Sequence, residues 1–174
     1  KVVKEEAGAF ESTVWTLSNG IKVVIKPTTY KKDEVLFNLK NDGGLSILSE
    51  ELLPSVESNV FSLWTQSNGV GNFSATALRK KLTGKIANAT PYINDYSQGI
   101  RGSASPQDLQ TLFELVYANI VTPRFEAGEF EASMAQLNAI VPNLEKTPNY
   151  VLQKELYKSL YNNNPRSQLV SSEL

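Results

Sequence analysis

The 174-residue chain contains no histidine and no cysteine. That excludes an imidazole base or metal ligand, a thiolate nucleophile and any disulfide. Catalysis here would have to run on carboxylates, lysines, tyrosines or hydroxyls. An excess of one charge is also lacking. The net charge is −1 and the positive residues are scattered, so nucleic acid and anionic membranes find no electrostatic footprint. The longest basic cluster, Arg79-Lys80-Lys81, is short and precedes Gly84, where the C-terminal end of a helix favours cations. No run approaches the roughly eighteen apolar residues of a membrane-spanning helix. Lys1-Val2-Val3-Lys4-Glu5-Glu6 is not a signal peptide, and one removed earlier would leave no trace. Lack of cysteine rules out a disulfide scaffold and leaves the compartment open.

What is present is ordinary for a soluble globular domain: 41% apolar and 20% charged residues, enough chain for one buried core and little for two. Residues 1–12 are polar and aperiodic and read as a linker or lead-in segment, with a single domain over 13–174. Val14–Leu17 and Ile21–Ile25 are β-prone runs joined by Ser18-Asn19-Gly20, and Asn-Gly between such runs is a strong hairpin signal. Pro27 ends the second run. Residues 35–40 make a third strand with Val35, Phe37 and Leu39 on one face, closed by Asn41-Asp42-Gly43-Gly44.

A helix over about 54–66 follows, opening near Ser49 and carrying Val56, Val60, Leu63 and Trp64 as its stripe. Ser74 reads as the N-cap of a short helix with Gly84 at its C′ position. Residues 86–93 and 96–103 read as strands turning near Asn94-Asp95. Ser105-Pro106-Gln107-Asp108 has the form of a helix start, with Leu109, Leu112, Phe113, Val116 and Ile120 as the buried stripe. A helix over roughly 126–145 turns Phe130, Met134, Leu137 and Val141 inward and breaks at Pro142. Thr147-Pro148 opens a last helix bearing Leu152, Leu156 and Leu160, which ends at Asn162-Asn163-Asn164-Pro165. Strand pairs with grouped helices predict an α+β fold, an antiparallel or mixed sheet covered by helices on one face.

No catalytic or metal-binding residue emerges, and the substrate-binding residues stay unknown. Gly69-Val70-Gly71 lacks the third glycine and the preceding strand of a dinucleotide loop, and reads as a tight inter-helix turn. Glu126, Glu129 and Glu131 suit dipole compensation at a helix start. Tyr96 and Arg101 read as surface or pairing residues on a strand. Residue chemistry favours a binding or architectural role over catalysis.

The ordered segments are more specific. Trp15-Thr16-Leu17-Ser18-Asn19-Gly20-Ile21-Lys22-Val23 is followed by Lys26-Pro27-Thr28, Gly43-Gly44-Leu45-Ser46 and Leu82-Thr83-Gly84-Lys85. Gly99-Ile100-Arg101-Gly102-Ser103-Ala104-Ser105-Pro106-Gln107-Asp108-Leu109 and Thr122-Pro123-Arg124-Phe125 complete the series. Over about residues 13–166 this succession resembles the non-catalytic half of pitrilysin/insulinase zinc metallopeptidases, above all the large bacterial members. The resemblance implies a duplicated α+β architecture whose active half carries His-x-x-Glu-His and a later glutamate. The corresponding stretch here, Gly44 to Glu51, has neither histidine, and Ala139-Ile140-Val141-Pro142 stands where the later glutamate would fall.

The resemblance therefore implies an inert domain without zinc of its own, the metal being expected in the catalytic half of a parent protein. Its partners would be that half, in the same polypeptide or a partner subunit, and the parent's peptide substrate. The family's Arg and Tyr that assist substrate binding lie further toward the C-terminus, so the domain reads as truncated there. A bacterial periplasmic or cell-envelope location is favoured over the cytoplasm. A non-proteolytic scaffold or binding subunit of the same fold is the alternative, and an independent histidine-free enzyme a third.

Overall fold

The computed structural model describes residues 1–52, 61, 65 and 68–172. The chain divides into two compact units, Lys1–Glu34 and Val35–Leu174.

In the first unit, strands β1 (Val2–Ala7), β2 (Thr13–Leu17) and β3 (Lys22–Ile25) form an antiparallel sheet in the order β1-β2-β3. The Asn-Gly hairpin forms as its sequence predicts. Gly20 takes φ 86°, its N–H donates to the Leu17 carbonyl at 2.9 Å, and Leu17 donates to the Ile21 carbonyl at 2.8 Å. Residues 2–7, expected to belong to a linker, instead pair with β2, Glu5 opposite Trp15 and Ala7 opposite Thr13. Every residue of β1 is exposed, so its backbone is held by the ladder without any apolar alternation in the sequence to advertise it. The Trp15 indole N–H adds a 2.9 Å bond to the Glu5 carboxylate.

In the second unit, β4 (Val35–Asp42), β5 (Ala87–Ile93) and β6 (Ser97–Ala104) form an antiparallel sheet in the order β4-β6-β5. The predicted strands thus hydrogen-bond as two three-stranded sheets rather than one. Pairing within the second is set by the tight β5–β6 turn, with β4 added along the other side of β6. Pro91, which cannot donate to a ladder, sits on the edge strand β5.

Four α-helices are described in this unit: α1 (Ala75–Lys81), α2 (Leu109–Val121), α3 (Ala127–Leu144) and α4 (Pro148–Leu160). The helix expected over 54–66 lies outside the described residues, apart from Phe61 and Thr65. After its expected opening near Ser49 the described chain makes a single 3-10 turn, Glu50–Leu52. Ser74 caps α1, its hydroxyl accepting from the Ala77 N–H at 3.2 Å. Gly84 turns the chain with φ 81°, but one residue later than a C′ glycine, since Leu82 is the C-cap.

The core lies between α2 and the β4-β6-β5 sheet. Ile100 and Ala104 of β6 meet Leu112 and Val116 of α2, with Phe37, Leu39, Ala87, Ala89 and Leu109 packed around them. Burying each such side chain contributes on the order of 1.5–3 kcal/mol. The stripe of α2 differs from its prediction in three places. Leu115 is buried, whereas Phe113 and Ile120 are more than half exposed. Phe113 still meets Phe37 edge-on, with ring centroids 5.7 Å apart.

Along α3, Val141 is buried and Phe130, Met134 and Leu137 are half-buried, as the period predicts. The break expected at Pro142 does not occur, for the helix runs on to Leu144. Proline lacks a donor and crowds the carbonyl four residues back, but it stands in the last turn, and beyond it the Glu145 N–H still reaches the Val141 carbonyl at 2.9 Å. After α4 the left-handed Asn162 and Asn163 reverse the chain. The return is tied down where Tyr150 Oη donates to the Val170 carbonyl at 2.7 Å and Ser172 Oγ to Glu145 at 2.6 Å.

Candidate binding face

With α2 on one face of the β4-β6-β5 sheet, strand alternation sends the intervening side chains to the other. These are Leu36, Asn38 and Lys40 of β4, Asn88, Thr90 and Tyr92 of β5, and Arg101 and Ser103 of the central strand β6. Arg101 sits opposite Asn38 on one side and Thr90 on the other. Its guanidinium carbon lies 4.2 Å from the centroid of the Tyr92 ring, a cation–π stack. Tyr92 reaches across β6 to β4, where its hydroxyl lies 3.2 Å from Asn38 Oδ1 and 3.3 Å from the Leu39 carbonyl. Gly99 makes that crossing feasible. A Cβ there would stand 1.8 Å from the Leu39 carbonyl oxygen and 3.1 Å from the Tyr92 hydroxyl. Asn88 Nδ2 donates to Ser103 Oγ at 2.8 Å on the same face.

The sequence placed Arg101 on a strand surface, which holds. Tyr96, expected beside it, lies in the β5–β6 turn instead, because β6 begins at Ser97. Tyr92, the residue that fixes Arg101, escaped sequence reading, since a tyrosine on a strand gives no sign of crossing its neighbour.

Glu126 is tied to the Arg124 guanidinium at the entrance to α3, while Glu129 and Glu131 are exposed on that helix. Gly44–Ile47 forms a 3-10 turn against the β5–β6 turn, with Arg166 donating to the Leu45 and Leu48 carbonyls at 2.9 and 2.7 Å. Gly69–Phe73 is the tight turn expected, closed by paired bonds between Val70 and Phe73. Ala139–Pro142 lies within α3.

Asp108, read in the sequence as part of a helix start, does more. It is buried, accepts from the Ile86 N–H at 2.9 Å and the Ser105 hydroxyl at 3.0 Å, and pairs with Lys85 at 3.0 Å. The Ile86 N–H, foremost, and then Lys85 hold its carboxyl below the ordinary 3.8. The Ser-x-x-Asp spacing was the available signal, a short relative of the capping box.

Zinc does not fit the residues present. The sequence offers neither histidine nor cysteine, and among the described residues no group of three His, Cys, Asp or Glu is placed to hold a metal. Two surface clefts, of about 230 Å³ beside Lys154 and Lys158 and about 160 Å³ beside Asn68 and Arg124, fall below the roughly 300–1,000 Å³ of small-molecule sites. No described helix is long and apolar enough to cross a membrane.

No protein-family model and no curated protein matches the sequence. Solved structures do. The periplasmic protease PqqL from Escherichia coli is similar over 99% of this chain and 19% of its own, with a TM-score of 0.79 at 16% identity. The ferredoxin protease FusC, solved with Arabidopsis ferredoxin, matches over 91% of this chain and 17% of its own, with a TM-score of 0.70 at 18% identity. A protease from Helicobacter pylori matches over 91% and 36%, with a TM-score of 0.54 at 14% identity. This chain therefore spans about a fifth of the length of PqqL. At these identities the likeness is one of fold: an α+β domain like one found within these proteases.

Proposed function

We propose that this chain is a catalytically inert domain of a multidomain zinc metallopeptidase, packing on the catalytic half and forming part of its peptide-binding chamber. The observation that carries the reading is the match over 99% of this chain to only 19% of a periplasmic protease, in a sequence without histidine. A domain that shares the fold but offers no zinc ligand set contributes shape rather than chemistry. The sheet face opposite α2, open and polar, is the surface suited to a chamber wall. Zinc belongs to the catalytic half in this reading, and a periplasmic or envelope location follows from the same kinship.

The test is deletion of residues 13–174 from the full-length protein with the catalytic half kept folded. Peptide turnover should fall steeply and return in part when the missing domain is added in trans. The isolated chain should retain no stoichiometric zinc after dialysis and cleave no peptide. A folded catalytic half that works at the parental rate alone would overturn the chamber role.

A further inference from the structure

We propose that the Arg101–Tyr92 pair is a recognition point for a carboxylate of an acidic peptide segment lying extended across the open face of the β4-β6-β5 sheet. This rests on the reading of that face as a peptide-facing wall and names what the wall recognises.

Three observations carry it. First, the guanidinium is held rather than loose. Gly99 leaves the space in which Tyr92 crosses β6, the Tyr92 hydroxyl is anchored at Asn38 and Leu39, and the ring then supports Arg101 at 4.2 Å. Three strands cooperate in that placement, and a side chain whose entropy is already spent loses less on binding.

Second, the charge is unanswered. The chain has 18 acidic residues, yet among the described residues no carboxylate lies within ion-pair distance of Arg101. Lys40, the other cation of this face, is paired with Asp42 at 3.5 Å. Among the described residues of this face the guanidinium is thus the cation without a carboxylate partner, and it presents a planar fork matched to a carboxylate.

Third, the setting selects the form of the ligand. The face is an open three-stranded sheet; the cleft beside Lys154 and Lys158 lies elsewhere, and the small one beside Asn68 and Arg124 reaches only its β5 edge at Asn88 and Thr90. An open sheet surface suits an extended segment better than a compact molecule. Ser103 lies two residues along the strand on the same side as Arg101, and because its oxygen accepts from Asn88, its own O–H remains free to donate. Thr90 adds a hydroxyl opposite Arg101.

The test is titration of the whole chain with a capped heptapeptide of alternating alanine and glutamate, and with its glutamine counterpart. The readouts are calorimetry and the Arg101 Nε–H NMR resonance. The acidic peptide should shift that resonance, and binding should weaken roughly tenfold with the glutamine peptide or with Arg101→Gln. Arg101→Lys, which keeps charge but loses the fork, should recover only part, and added salt should weaken binding in the wild type. Matching circular dichroism would show that both variants are folded. Binding of Arg101→Gln within about twofold of wild type, or equal binding of the two peptides, would overturn the proposal. The chamber role fails separately, in the deletion assay, because peptide binding by the isolated chain does not depend on turnover by the parent.

Discussion

Helices α2 and α4 are each 13 residues long, and a hydroxyl residue followed by proline leads into both, directly at Thr147-Pro148 for α4 and through the 3-10 turn Pro106–Asp108 for α2. Ser105 Oγ accepts from the Asp108 N–H at 3.2 Å, and Thr147 Oγ1 from the Tyr150 N–H at 3.3 Å. Both carry leucines at helical spacing. Yet α2 buries Leu112, Leu115 and Val116, whereas α4 buries Tyr150 alone and leaves Leu152, Leu156 and Leu160 at 66%, 48% and 64% exposure. Caps and period make the helix, but a facing sheet is what turns a stripe into a core. Helix α4 is tied at its N-terminal end instead, by Tyr150 on Val170 and by the return bonded to Glu145 just before it.

The largest expected effect breaks the comparison on the α2 side. Leu112 is wholly buried, and its Cδ1 lies 2.8 Å from where a Cβ on Gly102 would stand. Leu112→Ala should cost about 2–5 kcal/mol, the transfer term plus an unfilled cavity. Chemical denaturation of the chain measures it. A loss under about 1 kcal/mol would mean that α2 and the sheet do not form the cooperative core argued for here.

Local chemistry explains how much of this was legible beforehand. The Asn19-Gly20 hairpin, the strands of the second unit, the caps at Ser74, Ser105 and Thr147 and the expected α+β class all rest on short-range rules, and all appear in the structure. Strand β1 was missed because an edge strand exposed on both faces carries no period. Leu115 was missed and Ile120 overrated because a helix period gives the width of a stripe, not where the sheet ends. The Arg101–Tyr92 stack depends on an absent side chain at Gly99, on a different strand from Tyr92, and no local pattern connects the two. The lack of histidine and cysteine, by contrast, is read directly from composition.

Asp108 sharpens the comparison at the helix entrances, since Thr147 has no buried acid beside it. Its folded-state carboxyl titrates below the ordinary 3.8, foremost because the Ile86 N–H bonds the charged form, with Lys85 next. A depressed folded value means that this stabilisation is fully present above the unfolded value and is lost as pH falls through the lower folded one. Melting temperature should therefore fall as pH drops below about 4, and part of that slope should vanish in Asp108→Asn. Glu145, lowered from 4.5 by bonds from the Ser172 hydroxyl and then its N–H, supplies a separate share that the variant keeps. At neutral pH the variant should be less stable than wild type, though by less than Leu112→Ala. Identical acid slopes in variant and wild type would show that the Asp108 cluster is ornamental to stability.

The smallest expected effect lies on α4 and depends on context. Leu156→Gln removes an apolar side chain that is half exposed and belongs to no described core cluster, so in the isolated chain stability should stay within about 0.5 kcal/mol of wild type. If the leucine stripe of α4 is covered by another part of the parent, the same substitution buries a polar amide there. It should then cost more than about 1 kcal/mol in the full-length protein. Paired melts of chain and parent make the measurement, with Leu152→Gln as a second probe one turn away on the same stripe. A cost seen only in the parent would mark α4 as an interdomain face. No cost in either would leave its stripe as ordinary exposed leucine and move the packing surface to another helix.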